Sequence, residues 1–156
     1  MLPIKEDCMM NFDKLLPQIL DLAALDKTEL DAVALATAKL SFYDWLVVSC
    51  AGSKEPLANI MRDFIASEGG VTIATVTGAT QKYPARAAAL VNGAISHALD
   101  YDDTHFAYVG HPSVAIFPAA LAAAEEVGAS AGDVCQRFCW GLRQLSYRHD
   151  FGTPTL

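Results

Sequence analysis

Apolar positions recur every three or four residues along most of the chain, and this spacing predicts helices. The first spans about Asn11 to Leu25, where Pro17 fits only in a first turn. Thr28 and Asp31 have the spacing of a capping box, and they open a longer helix that is expected to stop near Gly52. Both helices carry an apolar face that needs a packing partner.

Proline and glycine mark the ends of three further helices. Proline fits the first turn of a helix, and glycine commonly follows the last turn. Pro118 lies inside the third of these helices, where it implies a kink or a later true start. The predicted helices run from Pro56 to Gly69-Gly70, from Pro84 to Leu99, and from His111 to Gly128.

One extended segment interrupts the helices. Residues 71–76 are rich in β-branched side chains and are bounded by glycines, which predicts a short strand or extended arm. No partner strand is evident, so this strand is expected to pair elsewhere, with another chain as one option. The whole pattern predicts an all-α fold, a bundle of alanine-rich helices with one short strand or arm.

Composition narrows the class of protein. The chain has 156 residues, of which 53% are hydrophobic and 19% charged, and this is typical of one globular domain. A formal net charge of −7 argues against a nucleic-acid partner, which would need clustered lysine and arginine. No apolar run reaches the length of a membrane span, and no signal peptide is evident. We therefore expect a cytoplasmic protein without membrane association.

The cysteines are expected to be reduced structural thiols. Cys8, Cys50, Cys135 and Cys139 form no CxxC pair and no framework of the kind found in secreted proteins. The same spacing argues against a zinc site built from cysteines.

Polar residues concentrate between two apolar helices. Each aspartate or threonine there is, taken alone, most simply explained as a capping residue that binds backbone amides. Taken together, aspartate and histidine also form an acid–base pair, because histidine titrates near neutrality and a carboxylate fixes its tautomer and charge. The polar residues of this span are His97, Asp100, Asp102, Asp103, Thr104, His105 and His111.

His111 is the strongest candidate for the base. Pro112 presets the first helical φ, so His111 is expected to project from a helix N-terminus, where the helix dipole disfavours imidazolium. His97 lies three residues before Asp100 on an apolar helix, which favours a hydrogen-bonded structural role. His105 is a loop residue that solvation alone would explain.

Two other chemistries use the same residues. Asp100 to Thr104 fits the D-x-D-x-T pattern of haloacid-dehalogenase-type phosphatases, but that motif should follow a buried strand, and here an alanine-rich helix precedes it. A metal site of aspartate and histidine ligands is chemically feasible, yet the residues follow no standard ligand spacing. We therefore predict neither a metal nor a cofactor.

A longer resemblance runs through this region. The stretch Asn92 to His105, with Gly110-His111-Pro112-Ser113 after it, resembles the signature of the MmgE/PrpD family. The turn from Ala51 to Pro56 and the segment 71–78 resemble the end of the family's early helix and its following strand. The resemblance covers about Leu15 to Gly132.

The resemblance implies a metal-independent enzyme, usually homodimeric, with a large helical domain and a smaller lid. The family includes 2-methylcitrate dehydratase, cis-aconitate decarboxylase and iminodisuccinate epimerase, which share a carbanion beside a carboxylate. The expected substrate is therefore a citrate-like or aconitate-like carboxylic acid. Dehydration of the 2-methylcitrate type is favoured, and decarboxylation and epimerisation remain alternatives.

The same resemblance assigns roles to individual residues. Asp100 and Thr104 match the aspartate and threonine that position the substrate, and His111 matches the histidine that moves the proton. The remaining candidates for substrate binding are Asp103, His105 and His97.

The end of the chain departs from the family pattern. Ser130 and Asp133 have the spacing to cap one more helix, but the residues after 133 do not align. The sequence thus predicts a helical domain at 1–132 and a divergent tail at 133–156, as a frameshift or truncation would produce. Because the family's later histidine and lysines lie beyond this sequence, we expect an incomplete site. A noncatalytic remnant or interaction module is the alternative.

Overall fold

The structure is a computed structural model that describes Pro17, Leu20, residues 30–106 and 110–142, and the backbone alone of 143–150. Pro17 and Leu20 are helical. The rest of the predicted helix from Asn11 to Leu25 lies outside the described residues.

Five helices, α1 to α5, make up most of the described residues, as the spacing of apolar positions predicts. The mainly helical fold is therefore confirmed. The helices are α1 (Ala32–Gly52), α2 (Pro56–Ile65), α3 (Ala85–Ser96), α4 (Pro112–Val127) and α5 (Ala131–Asp150).

The start of α1 differs from the prediction. Asp31 is its N-cap, and the Asp31 Oδ1 accepts a hydrogen bond from the backbone N–H of Ala34 at 2.7 Å. The predicted cap at Thr28 is therefore too early, because the aspartate three residues further on satisfies the first amides itself.

The boundary between α4 and α5 follows local sequence signals. α4 begins at Pro112 and continues through Pro118, so a later start is wrong. It ends at Gly128, whose φ of 71° suits a residue without a side chain. Ser130 and Asp133 form the predicted capping box: the Asp133 carboxylate accepts from the Ser130 N–H at 2.9 Å, and the Ser130 Oγ accepts from the Asp133 N–H at 3.3 Å.

Two short strands form an antiparallel hairpin within the chain. β1 (Ala74–Thr75) pairs with β2 (Lys82–Tyr83), and the chain reverses at Gly78, where φ is 77°. The expectation that the strand pairs elsewhere, with another chain as one option, is wrong. β2 contains two residues before Pro84 ends the pairing, so it is too short to show an alternating pattern.

Glu125 of α4 holds the hairpin in place. Its carboxylate accepts hydrogen bonds from the backbone N–H and the hydroxyl of Thr75, at 2.7 and 2.6 Å, and from Lys82 Nζ at 3.1 Å. Partial burial raises the pKa of Glu125. The hydrogen bonds from Thr75 and Lys82, together with the Lys82 charge, lower it by more, so the pKa of Glu125 lies below its usual value. Both strands are thereby attached to one helix.

We expect Glu125→Gln to lower the free energy of unfolding by about 2 kcal/mol at neutral pH, because it removes charge-assisted hydrogen bonds. A carboxyl group with a lowered folded pKa stabilises the protein above its unfolded pKa, and this contribution is lost as pH falls through the folded pKa. The variant should therefore match the wild type in acid. Urea unfolding at both pH values measures the effect, and Glu126→Gln, a neighbouring exposed position, is the control. An equal loss at both pH values would contradict the role of charge.

Two apolar clusters fill the interior on either side of α3 and α4. One joins α2, the hairpin and α3 around Ile65 and Val91. The other joins α1, α4 and α5 around Trp45, Phe117 and Phe138, where the Phe117 and Phe138 rings stack with centroids 4.0 Å apart. The packed pair α3 and α4 therefore gives the loop between them a rigid support.

α1 is apolar on nearly all sides. It is the one helix in the described part of the chain that is long and apolar enough, by length and composition, to cross a membrane, a test that a core helix of a soluble protein also passes. The prediction that every apolar run is too short to cross a membrane is therefore wrong for α1, by length and composition. Lys39 and Asp44 interrupt the run without outweighing the apolar residues around them.

Candidate functional site

The polar loop joins the end of α3 to the start of α4. α3 ends at Ser96 rather than at the predicted Leu99, and a turn follows. Asp100 then adopts a left-handed backbone conformation with φ of 55°, which aspartate tolerates better than most residues with a side chain. The chain changes direction at this point, and Asp102 becomes buried.

Asp102 lies at the centre of the site. Its side chain is fully buried, and its carboxylate contacts two imidazoles. The Nδ1 of His97 lies 2.9 Å from Oδ1, and the Nδ1 of His111 lies 3.0 Å from Oδ2. The centroids of the two rings are 5.0 Å apart. One buried carboxylate therefore holds two histidines side by side.

The burial of Asp102 determines where the neutral imidazoles carry their proton. An ionised carboxylate only accepts hydrogen bonds, and burying it is costly unless donors reach its oxygens. The Nδ1 atoms of His97 and His111 are the ring atoms nearest to this carboxylate, so a neutral ring that donates to an ionised Asp102 carries its proton on Nδ1. Each Nε2 then keeps a lone pair that accepts a proton. Both rings remain partly exposed to solvent.

Asp100 lies at the solvent side of the same cluster. Its Oδ1 is 3.7 Å from the Nε2 of His111, and 77% of its side chain is exposed. A substrate group that enters from solvent would therefore meet the Asp100 carboxylate and the His111 Nε2 together.

Asp103 fixes the start of α4. Its Oδ1 accepts from the backbone N–H of Ser113 at 3.1 Å, and its Oδ2 accepts from the Ser113 hydroxyl at 2.7 Å. The first amides of a helix lack an intrahelical partner, and Asp103 supplies one. This is the capping role that the sequence offered as the simpler explanation. The predicted contact of Asp103 with substrate stays a prediction.

Thr104 and His105 lie further along the loop. Thr104 is exposed, and the backbone N–H of His105 donates to the carbonyl oxygen of Gly110 at 2.9 Å in an isolated bridge. This bridge joins the two sides of the loop before α4 begins. The roles predicted for Thr104 and His105 stay predictions.

The structure brings three predicted residues together, namely His97, Asp100 and His111. It corrects the partner of His97, which is Asp102 rather than Asp100. A spacing of three residues suits a continuous helix, but α3 ends before His97. Asp102 was missed as a site residue, because nothing in the sequence separates it from Asp100 and Asp103 in the same polar loop.

The same cluster has a geometry that suits a metal ion. One ligand atom from each of His97, Asp100, Asp102 and His111 lies within 4.8 Å of the others. Two imidazole nitrogens and two carboxylate oxygens suit a transition metal such as Zn²⁺. The fold thus assembles a donor set that the sequence spacing did not suggest, and the metal-independent site stays a prediction.

The phosphatase alternative does not fit the structure. The D-x-D-x-T stretch follows α3 and a turn, whereas the phosphatase motif requires a buried strand before its first aspartate. The described hairpin lies before α3, so no strand leads into Asp100.

The fold and the cluster define a mainly helical domain with a buried aspartate between two histidines at a helix junction. The chain belongs to the MmgE/PrpD family, because the family model of the MmgE/PrpD N-terminal domain matches residues 22–143. Membership indicates a dehydratase-like function in general. No curated protein and no solved structure matches the chain.

The family match also extends beyond the region of resemblance seen in the sequence. It continues past residue 132 to residue 143, and so includes the first part of α5. Val134 and Phe138 of this helix are buried in the core. The division of the chain into 1–132 and 133–156 stays a prediction.

Proposed function

We propose that this chain carries the proton-transfer part of a metal-independent lyase site that dehydrates a citrate-like or aconitate-like acid. The observation that carries the proposal is the buried Asp102 carboxylate between the Nδ1 atoms of His97 and His111. This arrangement leaves the Nε2 of His111 as a base beside Asp100, at the N-terminus of α4. Family membership supports the class of reaction.

In the proposed reaction, the His111 Nε2 takes a proton from the carbon beside a substrate carboxylate. The electron pair of the broken C–H bond forms a C=C bond, and the C–O bond to the hydroxyl breaks. The hydroxyl leaves as water with a proton from solvent, and the His111 imidazolium then releases its own proton to solvent. The Asp102 carboxylate beside Nδ1 stabilises the imidazolium that forms. Decarboxylation and epimerisation, in which negative charge also develops on the carbon beside a carboxylate, are the alternative reactions.

Asp100 and Thr104 are the proposed positioning groups for substrate. The Asp100 carboxylate accepts a hydrogen bond from a substrate hydroxyl, and the Thr104 hydroxyl donates one to a substrate carboxylate. Both side chains are exposed to solvent, and that of Asp100 lies beside the His111 imidazole. The loop itself contains no lysine or arginine, so the substrate's negative charge needs cations from elsewhere.

We expect His111→Ala to reduce turnover of the best substrate by about 10²- to 10⁴-fold, because general-base catalysis contributes that much. The purified chain is incubated with 2-methylcitrate, citrate and cis-aconitate in turn, and product is followed by ultraviolet absorbance and mass spectrometry. His149→Ala, which removes a histidine from the predicted tail, is the matched control and should retain wild-type turnover.

Three results would count against the proposal. Wild-type turnover no higher than that of His111→Ala would favour the noncatalytic remnant or interaction module for this chain. Turnover that EDTA abolishes and Zn²⁺ restores would favour the metal site. Equal loss in the His149→Ala control would show that the assay reports folding rather than chemistry.

A further inference from the structure

Four side chains at the junction of α3 and α4 place metal-ligating atoms close to one another. One ligand atom from each of His97, Asp100, Asp102 and His111 lies within 4.8 Å of the other three. It is the one such group of ligands among the residues that the structure describes. We name these residues the four-ligand cluster.

The separations in the four-ligand cluster suit tetrahedral coordination. Zn²⁺ binds imidazole nitrogen and carboxylate oxygen at about 2.0–2.2 Å, so two ligands of a tetrahedral ion lie about 3.4 Å apart. The Nδ1 atoms of His97 and His111 lie 2.9 and 3.0 Å from oxygens of Asp102, and the His111 Nε2 lies 3.7 Å from the Asp100 Oδ1. Side-chain rotations that move each ligand atom by less than about 1 Å would therefore bring the four donors to one ion.

The charges of the four-ligand cluster suit a divalent cation. Asp100 and Asp102 carry two negative charges when both are ionised, and two neutral imidazoles add none. The Asp102 side chain is fully buried, where an ionised carboxylate is costly unless it is paired or coordinates a metal. The sequence from His97 to His111 contains no lysine or arginine. A divalent ion would therefore neutralise the cluster.

We infer that the four-ligand cluster binds one divalent transition-metal ion such as Zn²⁺, and that the bound ion blocks proton transfer by His111. Half of the donors are imidazole nitrogens, which suit Zn²⁺ and Cu²⁺, whereas Mg²⁺ and Ca²⁺ take oxygen ligands. Metal binding stands on the cluster alone. The block of proton transfer rests on the proposed function.

The block follows from the chemistry of a single imidazole ring. A neutral ring has one N–H group and one nitrogen lone pair. If the ion binds the His111 Nε2, it occupies the lone pair that would accept the substrate proton. If the ion binds Nδ1 instead, the one proton of the ring must lie on Nε2. Either way His111 cannot act as a base while the ion is bound.

Titration with Co²⁺ and then Zn²⁺ tests the site without an assay of turnover. The full chain is prepared without a polyhistidine tag and titrated with Co²⁺, whose visible absorption is strong in tetrahedral coordination and weak in octahedral coordination. We expect a strong band that saturates at one ion per chain and disappears when Zn²⁺ is added. We expect no charge-transfer band from cysteine thiolate.

Variants of the four-ligand cluster test which residues hold the ion. Loss of a group that only supports a metal ligand costs about 10- to 100-fold in affinity, so loss of a ligand should cost about 100-fold or more. We expect this loss in His97→Ala and in Asp100→Asn, measured by competition with a fluorescent chelator. Asp100 is exposed, and asparagine tolerates its left-handed backbone, so Asp100→Asn should stay folded. His149→Ala removes a histidine outside the cluster and should bind Zn²⁺ as the wild type does.

Turnover tests the block separately. Free Zn²⁺ is set with a chelator buffer, because citrate-like acids bind Zn²⁺ themselves. At ten times the measured Kd, the ion should leave about one-tenth of the wild-type turnover, because the occupied fraction follows mass action. EDTA should restore turnover. A catalytic metal predicts the opposite response to both additions.

The two parts of the inference fail in different ways. Equal Zn²⁺ affinity in His97→Ala, Asp100→Asn and the wild type would overturn the site, as would a thiolate band or a weak octahedral spectrum. Turnover that saturating Zn²⁺ leaves unchanged or raises would overturn the block. A chain that binds Zn²⁺ as expected but converts no substrate would contradict the proposed function and support the metal site.

Discussion

Replacing Asp102 by asparagine is expected to lower turnover by about 10²- to 10⁴-fold while the domain stays folded, because the base is then held in the wrong tautomer. The asparagine amide has the size of the carboxylate, but it offers one acceptor oxygen and one donor group in place of two acceptors. One imidazole must then turn or move its proton to Nε2. The comparison of kcat and KM locates the effect, since loss of proton transfer lowers kcat more than it raises KM.

The tautomers themselves provide a measurement that does not depend on activity. Nitrogen-15 NMR of the imidazoles, at an alkaline pH where free imidazole is neutral, should show protonated Nδ1 and unprotonated Nε2 in both His97 and His111. Asp102→Asn should change this pattern in at least one ring. Asp100→Asn, which alters an exposed carboxylate, should leave both tautomers unchanged. If Asp102→Asn leaves both rings unchanged, Asp102 does not set their protonation.

Gly52→Ala is expected to destabilise the domain by about 3 kcal/mol, at the upper end of what overpacking costs. The added methyl group would overlap the backbone carbonyl oxygen of Ile95 in α3, and it would lie 3.5 Å from the Cβ of Ala98. A carbonyl group of a packed helix cannot turn away as a flexible side chain can. The last turn of α1 and the end of α3 must therefore separate, just before His97.

Thermal and urea unfolding measure this loss. Gly69→Ala is the matched control, because a methyl group at Gly69 meets no atom within 4 Å and should cost little stability. Because the strain lies next to His97, the variant should also broaden the His97 imidazole signal. A Gly52→Ala protein as stable as Gly69→Ala would mean that α1 and α3 adjust without cost.

The helices were the predictable part of this fold, because a long amphipathic segment repeats its signal over several turns. The second strand was not predictable, because Lys82 and Tyr83 are too few residues to show the alternation of apolar and polar positions that marks a strand. Gly52 was expected to matter as a helix stop. The larger cost of replacing Gly52 comes from Ile95, whose backbone carbonyl lies where a side chain would begin. Contacts between residues far apart in sequence leave no local pattern.

The candidate site was also predictable only in part. The sequence located the polar loop and singled out His111, because composition and a helix start are local properties. It could not choose among Asp100, Asp102 and Asp103. That choice depends on the left-handed turn at Asp100, which directs one carboxylate into the interior, another to solvent and a third to the start of α4.

The two imidazoles and the carboxylate between them all come from one short stretch of chain, His97 to His111. Bringing together the ends of a short loop costs less conformational entropy than joining distant segments. Contacts of small sequence separation also form faster during folding. The cluster should therefore form as soon as α3 and α4 dock, and native-state hydrogen exchange should show that it opens together with that helix pair.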